Sequence, residues 1–245
     1  DNGYNNNVKN FIQVNKELIV GRKSTIEAMG GGTENEKKSY AGGIFGRVKT
    51  PVYVNTSEKD TEVFQNVVLD EVTVKSNNYA GGVAGTFESN YITSKIFVQN
   101  VKVLSVESAG GIVGSIINWS NGNVIKDSSI EDITIGKSGT DSVAYGAGLV
   151  GWIDNGVCLI QSCSVNNIAA AGIYVGGIVA GNKGKLTVDN CTVSNDDSSK
   201  EISATSSGAG GGVLGTASNG TSTIQKCEIK PIIIKGREIR IKRGK

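Results

Sequence analysis

Short apolar runs in which Val, Ile and Leu alternate with Thr, Ser, Asn or Lys recur along this chain, as in Glu71-Val-Thr-Val74, Leu104-Ser-Val106 and Ile133-Thr-Ile135. The alternation predicts strands with one buried face. A helical reading fails on the same stretches, because Gly-Gly pairs interrupt the runs and β-branched residues stand where Ala, Leu and Glu would be expected. One such pattern returns six times: Val63-Phe-Gln-Asn-Val-Val-Leu69, Phe97-Val-Gln-Asn-Val-Lys-Val103, Val124-Ile-Lys-Asp-Ser-Ser-Ile130, Leu159-Ile-Gln-Ser-Cys-Ser-Val165, Thr187-Val-Asp-Asn-Cys-Thr-Val193 and Thr223-Ile-Gln-Lys-Cys-Glu-Ile229.

A glycine-rich phrase keeps step with it. Its copies are Tyr40-Ala-Gly-Gly-Ile-Phe-Gly46, Tyr79-Ala-Gly-Gly-Val-Ala-Gly85, Ser108-Ala-Gly-Gly-Ile-Val-Gly114, Tyr145-Gly-Ala-Gly-Leu-Val-Gly151, Tyr174-Val-Gly-Gly-Ile-Val-Ala180 and Ala209-Gly-Gly-Gly-Val-Leu-Gly215. The shared glycines Gly43, Gly82, Gly111, Gly148, Gly177 and Gly212 are separated by 39, 29, 37, 29 and 35 residues. Such intervals belong to solenoids and propellers. Propeller blades take about 40 to 45 residues, which the 29-residue intervals do not reach. We therefore expect an all-β, right-handed parallel β-helix of about six to seven coils, each of three short strands and three turns. Residues 1–38 would form an N-terminal coil and cap, 39–230 the repeats, and 231–245 a last strand followed by a basic tail or linker. The shared glycines are expected to turn the chain, by adopting positive φ and by letting neighbouring coils approach closely.

Stacked coils place equivalent residues in ladders. Tyr40, Tyr79, Tyr145 and Tyr174 share one position, with Ser108 and Ala209 in the other two copies. They read as a ladder stacked along the axis or, alternatively, as an aromatic strip that binds sugar rings. Cys163, Cys191 and Cys227 share another position, where earlier copies carry Val67, Val101 and Ser128, so they are expected as free thiols in the core. Cys158 is left open to pairing with a neighbour.

The repeats resemble the GLUG motif of bacterial surface proteins, including the repeat regions of immunoglobulin A-specific metalloproteases and adhesin-like proteins. The matching cores are Gly43-Ile-Phe-Gly46, Gly82-Val-Ala-Gly85, Gly111-Ile-Val-Gly114, Gly148-Leu-Val-Gly151 and Gly212-Val-Leu-Gly215, with Ala180 departing from the last Gly of the fifth copy. The resemblance covers roughly residues 40 to 230 and implies a secreted or cell-surface β-solenoid, extracellular and bacterial. It brings no catalytic residues.

Composition narrows the chemistry. The chain has no histidine, which removes Ser/His/Asp triads, Cys/His dyads and zincin sites. Residues 235–245 hold six Lys/Arg and one Glu, leaving residues 1–234 at −3, so no basic face suited to nucleic acid covers the repeats. No apolar run approaches the roughly 18 residues of a membrane helix, and we expect no membrane insertion. The chain starts at Asp1 and its one Met is Met29, so we expect that a leader or upstream region has been removed.

Paired carboxylates can hydrolyse glycosides without histidine, and Asp196-Asp197 with Arg240-Ile241-Lys242 superficially resembles two motifs of polygalacturonase-like enzymes. Their Asn-Thr-Asp and Gly-His-Gly companions are missing. The ordinary reading of Asp196-Asp197 and of Asp154-Asn-Gly156 is a polar turn, not a calcium loop. We expect no catalytic residues, no metal and no cofactor. The expected protein is a non-catalytic stalk or adhesin-like contact surface, monomeric as an isolated domain, whose partner is a host protein or glycan. A carbohydrate-active β-helix enzyme and an accessory domain of a surface protease are the alternatives.

Overall fold

The computed structural model describes residues 18–28, 38–48, 64–88, 91–117, 122–136 and 143–236. They form 24 strands, and no helix among them is long and apolar enough to cross a membrane. Phe45–Val48, Ala84–Phe87, Val113–Ile117, Val150–Asn155, Val179–Asn182 and Leu214–Ala217 lie side by side, in chain order, as one six-stranded sheet. Each of these strands follows a copy of the glycine phrase. Neighbours in space are therefore successive repeats, paired in parallel, and the fold is an all-β parallel solenoid. It makes about five turns rather than six to seven, because six stacked corners enclose five full turns.

Coils have three or four strand segments where three were expected; Val157–Gln161, Ser164–Gly176 and Val179–Asn182 make up a coil of three. The coil starting at Asn123 runs through Asn123–Lys126, Ser129–Gly136, Val143–Ala147 and Val150–Asn155. The first three belong to an 18-stranded sheet and the fourth to the six-stranded one.

The glycine corner keeps one of its two expected uses. None of its glycines has a positive φ; among the described glycines only Gly122 and Gly156 do. Close approach is the whole reason for them. A Cβ at Gly43, Gly82, Gly111, Gly148 or Gly177 would overlap the carbonyl oxygen of the equivalent glycine one rung on. The amide of Gly43 donates to Gly82 O at 2.7 Å, and Val83 and Ala84 both donate to Ile112 O at 2.9 and 3.1 Å, so the corners are bonded to one another.

The left-handed backbone sits instead at non-glycine residues. Asn66, Lys95, Asp127, Ser162, Asn190 and Lys226 have φ between 51° and 57°, and the strand register stacks them in one column. Glu71, Asn100, Asp132 and Asn167 form a second column with φ of 51–54°. Asn and Asp tolerate this region better than other non-glycine residues. The kink amides of Asp127, Ser162 and Asn190 each donate to a carbonyl of the next rung, at 3.1 Å.

These paired kinks correct the expected alignment. Val67 lies opposite Ile96, not Val101, and Val74 lies opposite Val103 rather than the Leu104–Val106 stretch. The two columns are five residues apart in one coil, and Gln-Asn pairs mark both Asn66 and Asn100. A local pattern cannot say which kink it is reading.

Inward side chains stack into apolar columns. Leu69, Val98, Ile130, Val165 and Val193 form one, all at most 1% exposed, and the column ends on Ile229 at 52%. Ile224, Ile233 and Ile234 are also exposed on the last described rung. No further strand among the described residues covers them. One inward column, Phe87, Ile116 and Ile153, continues to Asn182, which is fully buried.

Candidate functional site

The tyrosine position is a ladder with two gaps. Register runs Tyr40, Tyr79, Ser108, Tyr145, Tyr174 and Ala209. Tyr40 stacks on Tyr79 with centroids 5.6 Å apart, and Tyr145 on Tyr174 at 5.3 Å. In the first gap Ser108 is buried, and its hydroxyl donates to Gly114 O at 2.6 Å. Offset-stacked rings stabilise by roughly 0.5–1.5 kcal/mol beyond their buried area. Stacking also occupies ring faces, so a strip with all four faces turned to a ligand does not form.

Tyr79 is the buried member, and Lys38 Nζ donates to its hydroxyl at 2.6 Å. Burial, then the charge of Glu107, raises the Tyr79 phenol well above its ordinary value. A raised pKa means that the folded state keeps the proton while the unfolded state releases it near pH 10. Stability therefore falls as pH rises through about 10, with a slope of up to about 1.4 kcal/mol per pH unit from this group. Urea midpoints between pH 9 and 11 should fall less steeply in Tyr79→Phe, and parallel slopes would contradict the assignment.

Trp152, which the repeat pattern does not mark, joins this surface. It lies one rung above Ser115, at the position held by Arg47, Thr86, Gly181 and Thr216 in other coils. Its ring sits 4.4 Å from that of Tyr145. A Cβ at Gly181 would come within 2.5 Å of the indole and 2.8 Å of Tyr145. Asp154 and Lys183, two residues beyond Trp152 and Gly181, form an ion pair at 3.4 Å. The signal for Trp152 was its fixed distance from the shared glycine.

All four cysteines carry free thiols, and Cys163, Cys191 and Cys227 stack in register with Ser128. Each donates its S–H to the carbonyl two residues earlier, Gln161, Asp189 or Gln225, at 3.3 Å. Cys158 lies apart, between Asn123 and Leu186, and burial pushes its thiol up to about 12. The hydrogen bond with Cys191 and burial raise Cys163 as well. Only Cys227 is partly exposed. In native protein at pH 8, Ellman's reagent should label about one thiol per chain, the others reacting only in denaturant; rapid labelling of two or more would contradict this packing.

Asp196 and Asp197 form a built turn. Both amides donate to Asn167 Oδ1, at 2.9 and 3.0 Å, and Asp197 Oδ1 accepts from the Ser199 hydroxyl and amide at 2.7 and 2.8 Å. Those bonds hold the Asp197 carboxyl below the usual range. The turn overhangs a groove of about 340 Å³ lined by Asn100, Lys102, Asp132, Thr134, Asp197 and Lys200, with Lys200 Nζ 3.4 Å from Asp132. Asp154 and Asn155 end the strand Val150–Asn155 rather than forming a turn, and Gly156, at φ 84°, makes the bend before Val157–Gln161. Among the described residues no three His, Cys, Asp or Glu side chains converge on a metal position. Arg240 lies outside the described residues, as does the basic tail beyond Gly236.

No protein family, no curated protein and no solved structure matches this chain.

Proposed function

We propose that this chain is a non-catalytic contact module or stalk, secreted or displayed at a bacterial surface, and built as a right-handed GLUG-type solenoid that is monomeric in isolation. The supporting observation is that the repeated residues are used for stacking: glycines against carbonyls, tyrosines on tyrosines, thiols in the core. A ladder bonded rung to rung is a stiff body whose outer positions can change without disturbing the core. A host protein or glycan is the partner such a surface suits.

The test has two arms. Beads carrying the chain should adhere to host epithelial cells or glycan-coated plates above bare beads, and no adhesion would leave only the stalk. Incubation with oligogalacturonides and alginate fragments should release no cleavage products; turnover would replace this reading with that of a carbohydrate-active enzyme.

A further inference from the structure

We propose that Tyr145, Trp152 and Tyr174 form a subsite for a neutral pyranose ring of a β-linked glycan, with Asp154 and Lys183 as its polar rim. The inference rests on the contact-module reading and names its ligand class. Three half-buried rings gather within two adjacent rungs: Tyr174 stacks on Tyr145, and Trp152 closes on Tyr145 from the neighbouring strand. Gly181 is what admits the indole, since any side chain there would strike it.

Among the described residues Tyr174 differs from the other ladder tyrosines in having a single ring or cation partner: Tyr145 also meets Trp152, and Tyr79, besides Tyr40, has Lys38 Nζ 4.9 Å from its centroid. Tyr145 covers one face, and the next rung offers Ala209 and Thr216, neither of which supplies a ring. At Tyr40, by contrast, Tyr79 lies on one side and the Arg47 guanidinium sits 5.2 Å from the centroid. Beyond Tyr174 the next rung, one strand spacing or roughly 4.7–4.9 Å on, holds only the methyl group of Ala209, and the slot proposed for the sugar is the space beside that methyl group.

A pyranose suits that slot chemically. Its C–H bonds carry partial positive charge and meet the negative face of an aromatic ring, by the electrostatics that draw edges and cations to π faces. Its hydroxyls need donors and acceptors at the border. Asp154 and Lys183 supply both, at 31% and 46% side-chain exposure, and being paired they add no net charge. An aromatic floor with few convergent polar groups is the usual make-up of a small-ligand site. With no net charge at the rim, nothing there rewards an acidic sugar, and a neutral one is favoured.

The probe is cellohexaose, whose equatorial rings present C–H faces on both sides, titrated into the full chain with Trp119→Phe so that Trp152 is the sole indole. A saturable change in indole emission is expected, with a Kd of about 0.1–5 mM. Tyr174→Ala and Gly181→Ser should each weaken binding roughly tenfold or more, Lys183→Ala about threefold, and Tyr40→Ala should leave it unchanged. Circular dichroism confirms folding, and Lys183→Ala, being at an exposed position, keeps the test alive if an aromatic variant does not fold. No saturable change up to about 20 mM, or equal binding by Tyr174→Ala, would overturn the subsite while leaving a stalk in place. Cleavage of the probe would support the subsite and overturn the non-catalytic reading.

Discussion

Gly111→Ala should lower the stability of the solenoid by about 3–5 kcal/mol, or abolish folding. The new Cβ would overlap Gly148 O and lie 2.8 Å from Ile133 Cδ1. A side chain could rotate away, but a carbonyl in a bonded rung cannot. Gly111 N donates to Ala147 O at 3.2 Å and Ile112 N to Leu149 O at 3.0 Å, so separating the strands enough to fit a methyl group breaks the bonds that set the coil spacing. Gly136→Ala is the matched comparison, because no atom of the described residues lies within 4 Å of its Cβ position and its φ is not positive. That variant should be unchanged or more stable by about 0.5 kcal/mol, through a less flexible unfolded chain. Urea unfolding of the two variants decides the matter: similar midpoints would mean that the corner glycines are there for another reason.

Asn182→Ala should cost about 2–4 kcal/mol, and Asn182→Leu should recover little of it. Asn182 continues an apolar column above Ile153 and is fully buried, yet its amide is well satisfied. Its Oδ1 accepts from Gly184 N at 2.9 Å, and its Nδ2 donates to Gly184 O, Thr221 O and Ser222 Oγ at 3.1, 3.2 and 3.0 Å. The side chain thus ties the turn after Val179–Asn182 to the rung that begins at Thr221. Leucine restores apolar volume but leaves those backbone groups without their partner, which is the costlier loss in a buried setting. Thermal melts and urea titrations measure the difference; a leucine variant as stable as wild type would show that the column needs only volume there.

Much of the fold was legible from residue types. Six glycine phrases in step with a Val/Ile strand pattern led to stacked β coils, because a position buried in one rung is buried in the next. The same logic placed the tyrosines in one column and Cys163, Cys191 and Cys227 in another. The second strand pattern was misaligned, since Asn66 and Asn100 both mark left-handed kinks and only pairing across rungs separates them. At the candidate site the tyrosines were visible as a repeat, but Trp152 was not, since it occurs once in a column whose other members are Arg, Thr, Ser and Gly.

The chain by itself determined that this protein is a repeating β structure without histidine chemistry, because periodic burial and composition are written along the sequence. Tertiary structure decided between the two uses expected of the corner glycines: they let neighbouring coils approach and bend the chain without positive φ. It also decided which face of which tyrosine stays free, and that Gly181 makes room for Trp152. Each of these depends on atoms about 30 residues apart meeting across one strand spacing, and such distances exist only once the coils are stacked.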